Sequence, residues 1–139
     1  TQHMNPLYPL IVTEGESDCM AAFQMGFQVV GIPGIGQCQK LLADWMDGHG
    51  FRKAVLFADN DPAGLAGANA LADYLVERKI NVRIICPPRQ YKDFREWFND
   101  RVKRIEVLER IEKAPFHIGA RLSGKKGKAT LTITGGECE

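Results

Sequence analysis

This sequence contains no Cys-x-x-Cys pair: its four cysteines, Cys19, Cys38, Cys86 and Cys138, stand far apart. A cysteine-built zinc site is therefore not expected, the spacing gives no support to a disulfide framework, and reduced thiols in the cytoplasm are the expectation. Histidine is equally scarce. His3, His49 and His117 fall in loops or ends and do not cluster, so no imidazole metal site is expected. No apolar run approaches the length of a membrane span and no signal-peptide pattern opens the chain, so neither membrane contact nor secretion is expected. A Walker-type Gly-x-x-x-x-Gly-Lys-Ser/Thr motif is also missing, since Gly31-Ile32-Pro33-Gly34-Ile35-Gly36 lacks the lysine. That glycine loop is expected to shape the mouth of a site, with Gly34 as a supporting residue.

Strong net charge is absent too, but the balance of +1 hides an asymmetry. Residues 1–100 carry −3 and residues 101–139 carry +4. The basic segment could face a phosphate backbone, or it could be a solvated helix followed by a basic tail. Lys125-Lys126-x-Lys128 reads as a solvated turn by itself. What remains is ordinary for one globular domain: 139 residues, 45% hydrophobic and 25% charged.

Short apolar runs alternate with longer amphipathic segments. Strands are predicted over residues 8–13, 28–32, 52–58 and 80–86. Helices are predicted over 17–25, 37–47, 62–79 and 93–98, the last resuming through 102–111. The helix from Pro62 is the clearest, with proline in its first turn and Leu65, Ala68, Leu71, Ala72 and Leu75 in one stripe. Strands separated by such helices imply an α/β fold with a mainly parallel sheet. Residues 1–7 read as a fragment start or scar and 8–114 as one domain. Residues 115–139 read as a basic C-terminal hairpin or tail.

Two acidic segments carry the functional signal. Glu14-Gly15-Glu16-Ser17-Asp18 follows the apolar run Leu10-Ile11-Val12, and Asp59-Asn60-Asp61-Pro62-Ala63-Gly64 follows Ala54-Val55-Leu56-Phe57. Each therefore stands where a strand opens into a loop before a helix, the place where open α/β sheets hold their ligands. Carboxylates from two such ends repel unless a divalent cation lies between them, and hard oxygen donors suit Mg²⁺ or Mn²⁺. If the strand persists through Asp59 and Asp61, both side chains leave one face with Cα atoms about 7 Å apart. Asn60 would then point elsewhere or bond locally, and Gly64 would permit close approach near the helix start. The alternative for Asp59-Asn60-Asp61-Pro62 is a turn with a helix cap. For Asp18, capping and site support both stand open, whereas Glu16 reads as a solvated helix start. Trp45 and Trp97 sit at apolar helical positions and read as packing.

Glu14-Gly15-x-x-Asp18 followed by Asp59-x-Asp61-x-x-Gly64 resembles the TOPRIM domain shared by DnaG-type primases, topoisomerases, OLD-family nucleases and RecR-like proteins. The resemblance covers roughly residues 8–100. Both motifs are most similar to those of phage and plasmid primase-helicases, and Lys92-Asp93-Phe94-x-x-Trp97 resembles their short Lys-Asp element. It implies a Rossmann-like three-layer fold of about four mainly parallel strands flanked by helices. It also implies roles: Glu14 as acid/base or metal-organising residue, Asp59 and Asp61 as Mg²⁺ or Mn²⁺ ligands, and Asp93 as a further acidic contributor. Gly15, Asp18, Gly34, Asn60 and Gly64 would support them.

The implied activity is Mg²⁺-dependent nucleotidyl transfer for RNA primer synthesis in DNA replication, as one domain of a larger enzyme. Its partners would be a single-stranded DNA template and NTPs, with a helicase domain or subunit. Because family members precede this fold with a zinc element and a basic subdomain, a fragment not fully active alone is expected. The alternative is a TOPRIM nuclease or a RecR-like recombination and repair protein that binds nucleic acid. A topoisomerase is disfavoured because Tyr8, Tyr74 and Tyr91 lack the context of a nucleophile. A receiver domain would need an acidic pair after the first strand, and a haloacid-dehalogenase-like phosphatase would place Asp-x-Asp there rather than after the third. A non-catalytic binding module stays open.

Overall fold

The structure is a computed structural model, and it describes residues 4–34 and 38–119. Four strands alternate with helices in the order β1 (Leu10–Glu14), α1 (Glu16–Gln24), β2 (Val29–Ile32), α2 (Gln39–His49), β3 (Lys53–Phe57), α3 (Pro62–Glu77) and β4 (Asn81–Ile85). Two further helices follow, α4 (Phe94–Asn99) and α5 (Arg104–Lys113). The strands form one sheet in the order β2-β1-β3-β4, and every pairing is parallel. Ile11 lies opposite Val29 on one side and Val55 on the other, and Val55 lies opposite Arg83.

Strand side chains alternate between two cores, which makes three layers. Leu10, Val12, Ala54, Leu56, Val82 and Ile84 pack with Leu42 and Met46 of α2 and with Ala68, Leu71 and Leu75 of α3. Ile11, Val55, Phe57 and Ile85 pack on the opposite face with Ala22 of α1, Phe94 and Trp97 of α4, and Val107 and Ile111 of α5. Strands buried on both faces read as continuous apolar runs rather than as alternation. That property makes β1 and β3 visible in the sequence. Trp97 is buried in the second core, and Trp45 packs beside the first, stacked on His49 and Phe51.

From β1 the chain passes outward to β2, returns across β1 to β3, and then continues to β4. The reversal makes the C-terminal ends of β1 and β3 a topological switch point, where the following loops diverge and leave a crevice. Since all four strands are parallel, the loops after β1, β3 and β4 open on the same edge of the sheet.

Beyond α5, Phe116 forms an isolated antiparallel bridge with Arg83, and the His117 N–H donates to the Val82 carbonyl at 2.7 Å. The expected hairpin around residues 122–134, with Lys125, Lys126 and Lys128, lies outside the described residues, as do residues 1–3 of the expected fragment start. Cys19 and Cys38 are free thiols, as expected, whereas Cys86 is disulfide-bonded. Among the described residues no helix is long and apolar enough to cross a membrane.

Candidate functional site

Glu14 closes β1 as an exposed residue, and Gly15 then turns the chain into α1. Gly15 has φ 90° and ψ 167°, a region that side-chain-bearing residues avoid, while its N–H still donates to the Ile32 carbonyl at 3.1 Å. This geometry is why glycine follows the acid.

Asp18 stands in the first turn of α1 but caps nothing there. The residue is 9% exposed, and its carboxylate instead accepts the backbone N–H of Arg95 in α4 at 3.1 Å. Of the two roles left open for Asp18, capping of α1 is not observed, and its carboxylate bonds to α4 instead. Burial pushes the Asp18 carboxyl above its usual range against the lowering effect of that bond, and the charges of Asp93 and Glu14 push it the same way as burial.

The third strand does not continue through the Asp-Asn-Asp segment, as the same-face geometry would require. β3 ends at Phe57; Ala58 keeps one ladder bond to Ile85, and the Asp61 N–H then closes on the Asp59 carbonyl at 2.9 Å. The result is a tight turn over Asn60. Asp61 becomes the N-cap of α3, its Oδ1 accepting the Gly64 N–H at 2.6 Å, with Pro62 in the first helical turn. A cap was the competing account of this segment, and the competition is won locally because Asp before Pro suits a helix start better than strand continuation. Gly64 packs against the turn: a Cβ there would lie 3.1 Å from Asp61 Oδ1 and 3.3 Å from both Asp59 Cβ and Asp59 N.

Asp59 is the electrostatic focus. It is half-buried, and among the described residues its carboxylate accepts no hydrogen bond. Its pKa is pushed up to about 6, first by burial and then by the charges of Asp18, Asp61, Asp93 and Glu14 in that order. Four acids from the loops after β1, β3 and β4 thus act on a fifth, so the charges of the two sequence motifs are felt at one carboxylate. Asp93, the N-cap of α4, accepts the Glu96 N–H at 2.9 Å, while the Glu96 carboxylate accepts the Lys92 N–H at 2.8 Å. Gly34 follows β2 with open space around its Cα, and residues 35–37 of the glycine loop lie outside the described residues.

The donor set is all oxygen, carries several negative charges, and leaves Asp59 unneutralised, which fits a hard divalent cation. Among the described residues no three acidic, histidine or cysteine side chains converge on one point to form a closed cage. An open arrangement suits Mg²⁺, which retains several waters and takes one or two carboxylates. Asp59 and Glu14 are committed to no cap, whereas Asp61 spends one carboxylate oxygen on capping α3.

Asn60 has a role that the sequence does not reveal. Its side-chain amide donates to the carbonyls of Pro87, Pro88 and Tyr91 at 2.9, 3.2 and 2.9 Å. An open groove of about 860 Å³ between β4, α4 and α5 was not anticipated either. It is lined by Trp97, Glu106 and Lys113 among others, carries both signs of charge, and includes none of the five acids.

The profile of the Toprim-like family matches residues 11–98, more than half of the chain. The structure is similar to that of the zinc-binding and RNA polymerase domains of the Aquifex aeolicus primase, with TM-score 0.59 and 20% identity over 77% of this chain and 26% of that one. It is also similar to a DNA primase domain from Pseudomonas aeruginosa, with TM-score 0.54 and 16% identity over 76% of this chain and 33% of that one. At these identities the likeness is one of fold, and the chain spans about a quarter to a third of the two solved chains it matches. No curated protein sequence matches the chain.

Proposed function

The chain belongs to the Toprim-like family, and on that premise we propose that it is the metal-binding catalytic domain of a DNA primase or primase-helicase. In this reading it supports Mg²⁺-dependent nucleotidyl transfer from NTPs on a single-stranded DNA template. The observation that carries the proposal is Asp59: half-buried, without a hydrogen-bond donor among the described residues, and opposed by the charges of Asp18, Asp61, Asp93 and Glu14 at the switch point of a parallel sheet. Folds of this class bind phosphate-bearing ligands at that point.

Asp59 and Asp61 would hold Mg²⁺ or Mn²⁺, Asp61 with the oxygen left over from capping α3. Glu14, across the crevice, would orient the ion or move a proton at the attacking 3′-hydroxyl. Asp93 would complete the negative rim, and Asp18 would keep α4 and Asp93 in place through the Arg95 N–H. A bound ion would supply stabilisation of phosphoryl charge and alignment of the reactants. The primase-like neighbours in fold favour polymerisation over cleavage as the use of this centre.

The test is primer synthesis by the longer protein that contains this domain, with single-stranded template, NTPs and Mg²⁺. Glu14→Gln and Asp59→Asn should each lower the rate by about 10² or more, as expected for loss of an acid/base or a metal-organising charge. Metal-dependent cleavage of the template with no primer would transfer the centre to the nuclease class, and full activity in Glu14→Gln would overturn the catalytic assignment.

A further inference from the structure

We propose that Asn60 is a positioning residue of the acidic centre: by clamping the 87–92 loop to the end of β3, it sets where Asp93 stands relative to Asp59. The inference rests on the metal-centre reading above and assigns the residue that holds two of its segments in register.

Asn60 lies between two of the acids in sequence, yet its side chain turns toward the neighbouring loop. The amide nitrogen faces three carbonyl oxygens, those of Pro87, Pro88 and Tyr91, at 2.9–3.2 Å. Three acceptors around one atom require that atom to be the NH₂, so the orientation of the amide follows from its partners. The Asn60 backbone N–H adds a fourth link, to the Lys92 carbonyl at 3.3 Å. The loop needs such outside donors. Pro87 and Pro88 have no N–H, so the first part of the segment cannot form a ladder of its own.

The clamp ends one residue before Asp93. From there Asp93 caps α4 through the Glu96 N–H, and the Arg95 N–H of the same helix turn reaches Asp18 on α1. Hydrogen bonds therefore join the loop after β3, the loop after β4 and the start of α1 into one unit that carries Asp59, Asp61, Asp93 and Asp18. Aspartate at position 60 would match the shape but turn oxygen toward oxygen. Alanine would remove the donors and leave the carbonyls to water.

The test follows the amide spectrum of the ¹⁵N-labelled chain during Mg²⁺ titration, for wild type, Asn60→Ala, Asp93→Asn and the double variant. In wild type the amides of Gly15, Asp61 and Arg95 should respond together. In Asn60→Ala the response at Arg95 should be lost while Gly15 and Asp61 still respond, with Mg²⁺ affinity weakened about tenfold, as for other residues that orient metal ligands. Without metal, residues 87–92 of that variant should gain fast backbone motion. If Asn60 acts through Asp93, the double variant should bind like Asp93→Asn alone, a non-additivity that general destabilisation would not produce. Should Asn60→Ala lose the dispersed spectrum of a folded chain, Asn60→Ser, which keeps one donor, replaces it in the same cycle. An unchanged Arg95 response, or additive effects, would overturn the role of Asn60 while leaving the metal centre standing. Silence of the wild type itself would overturn both.

Discussion

The carboxylate of Asp18 accepts the backbone N–H of Arg95 at 3.1 Å, joining the first turn of α1 to the first turn of α4 across 77 residues of chain. The bond fastens the last acidic loop to the first, and it holds Asp18 where its charge opposes Asp59. The acidic crevice is therefore held together by the same groups that make it electrostatically uncomfortable.

Removing that acceptor should loosen the crevice. Asp18→Ala leaves the Arg95 N–H without its partner and should cost about 1–3 kcal/mol, the range for a hydrogen bond lost at a partly buried group. Asp18→Asn keeps an acceptor oxygen and removes a charge already disfavoured by burial, so its urea midpoint should lie much closer to wild type. Equal losses in the two variants would remove the hydrogen bond from the account.

The raised pKa of Asp59 gives a pH dependence with a definite sign. The folded chain holds the proton up to about pH 6, whereas an unfolded aspartate releases it near its ordinary value of 3.8. Stability from this group is therefore fully present below the unfolded value and is lost as pH rises through about 6. Asp18, raised in the same direction, adds to the trend. Without divalent metal, the gap in urea midpoint by which Asp59→Asn exceeds wild type should widen between pH 4 and pH 7. A constant gap would contradict the burial and repulsion assigned to Asp59.

Metal should reverse that penalty. Ligands must be deprotonated to bind, so Mg²⁺ affinity should rise through about pH 6 as Asp59 loses its proton. At about 100 times its dissociation constant, Mg²⁺ should stabilise the fold by about 2.7 kcal/mol. A matched concentration of a monovalent salt should not reproduce the shift in Tm.

Gly64→Ala tests the packing beneath the turn. The added methyl would meet Asp61 Oδ1 at 3.1 Å and the Asp59 backbone N at 3.3 Å, so the turn must move by a few tenths of an ångström. Alanine otherwise favours a helix over glycine by about 1 kcal/mol. Overall stability should thus change little while Mg²⁺ affinity falls, as read by thermal melting beside a metal titration. A variant with unchanged affinity would show that the turn tolerates the displacement.

The layers of the fold were legible because buried parallel strands are short apolar runs and their helices carry separate stripes. The predicted elements match the observed ones with small differences at their ends. Asp59 and Asp61 were legible as acids at a strand end, but their geometry was not. A same-face strand pair and a capped turn use the same residues, and only the Asp61 N–H closing on the Asp59 carbonyl decides between them. The sequence leaves Asn60 pointing elsewhere or bonding locally, because its actual partners lie 27 to 31 residues away and are backbone carbonyls, which no side-chain pattern announces. Asp18 presented the same difficulty: its position fits a cap for α1, and its bond goes to another helix.

The central claim is that carboxylates from separate strand ends form one metal centre, and paramagnetic broadening by Mn²⁺ tests it most directly. Substoichiometric Mn²⁺ should broaden the amides of Gly15, Asp61 and Arg95 together in the wild-type chain, excess Mg²⁺ should restore them, and Asp59→Asn should largely abolish the effect. Broadening confined to other segments, or unchanged in Asp59→Asn, would contradict the account.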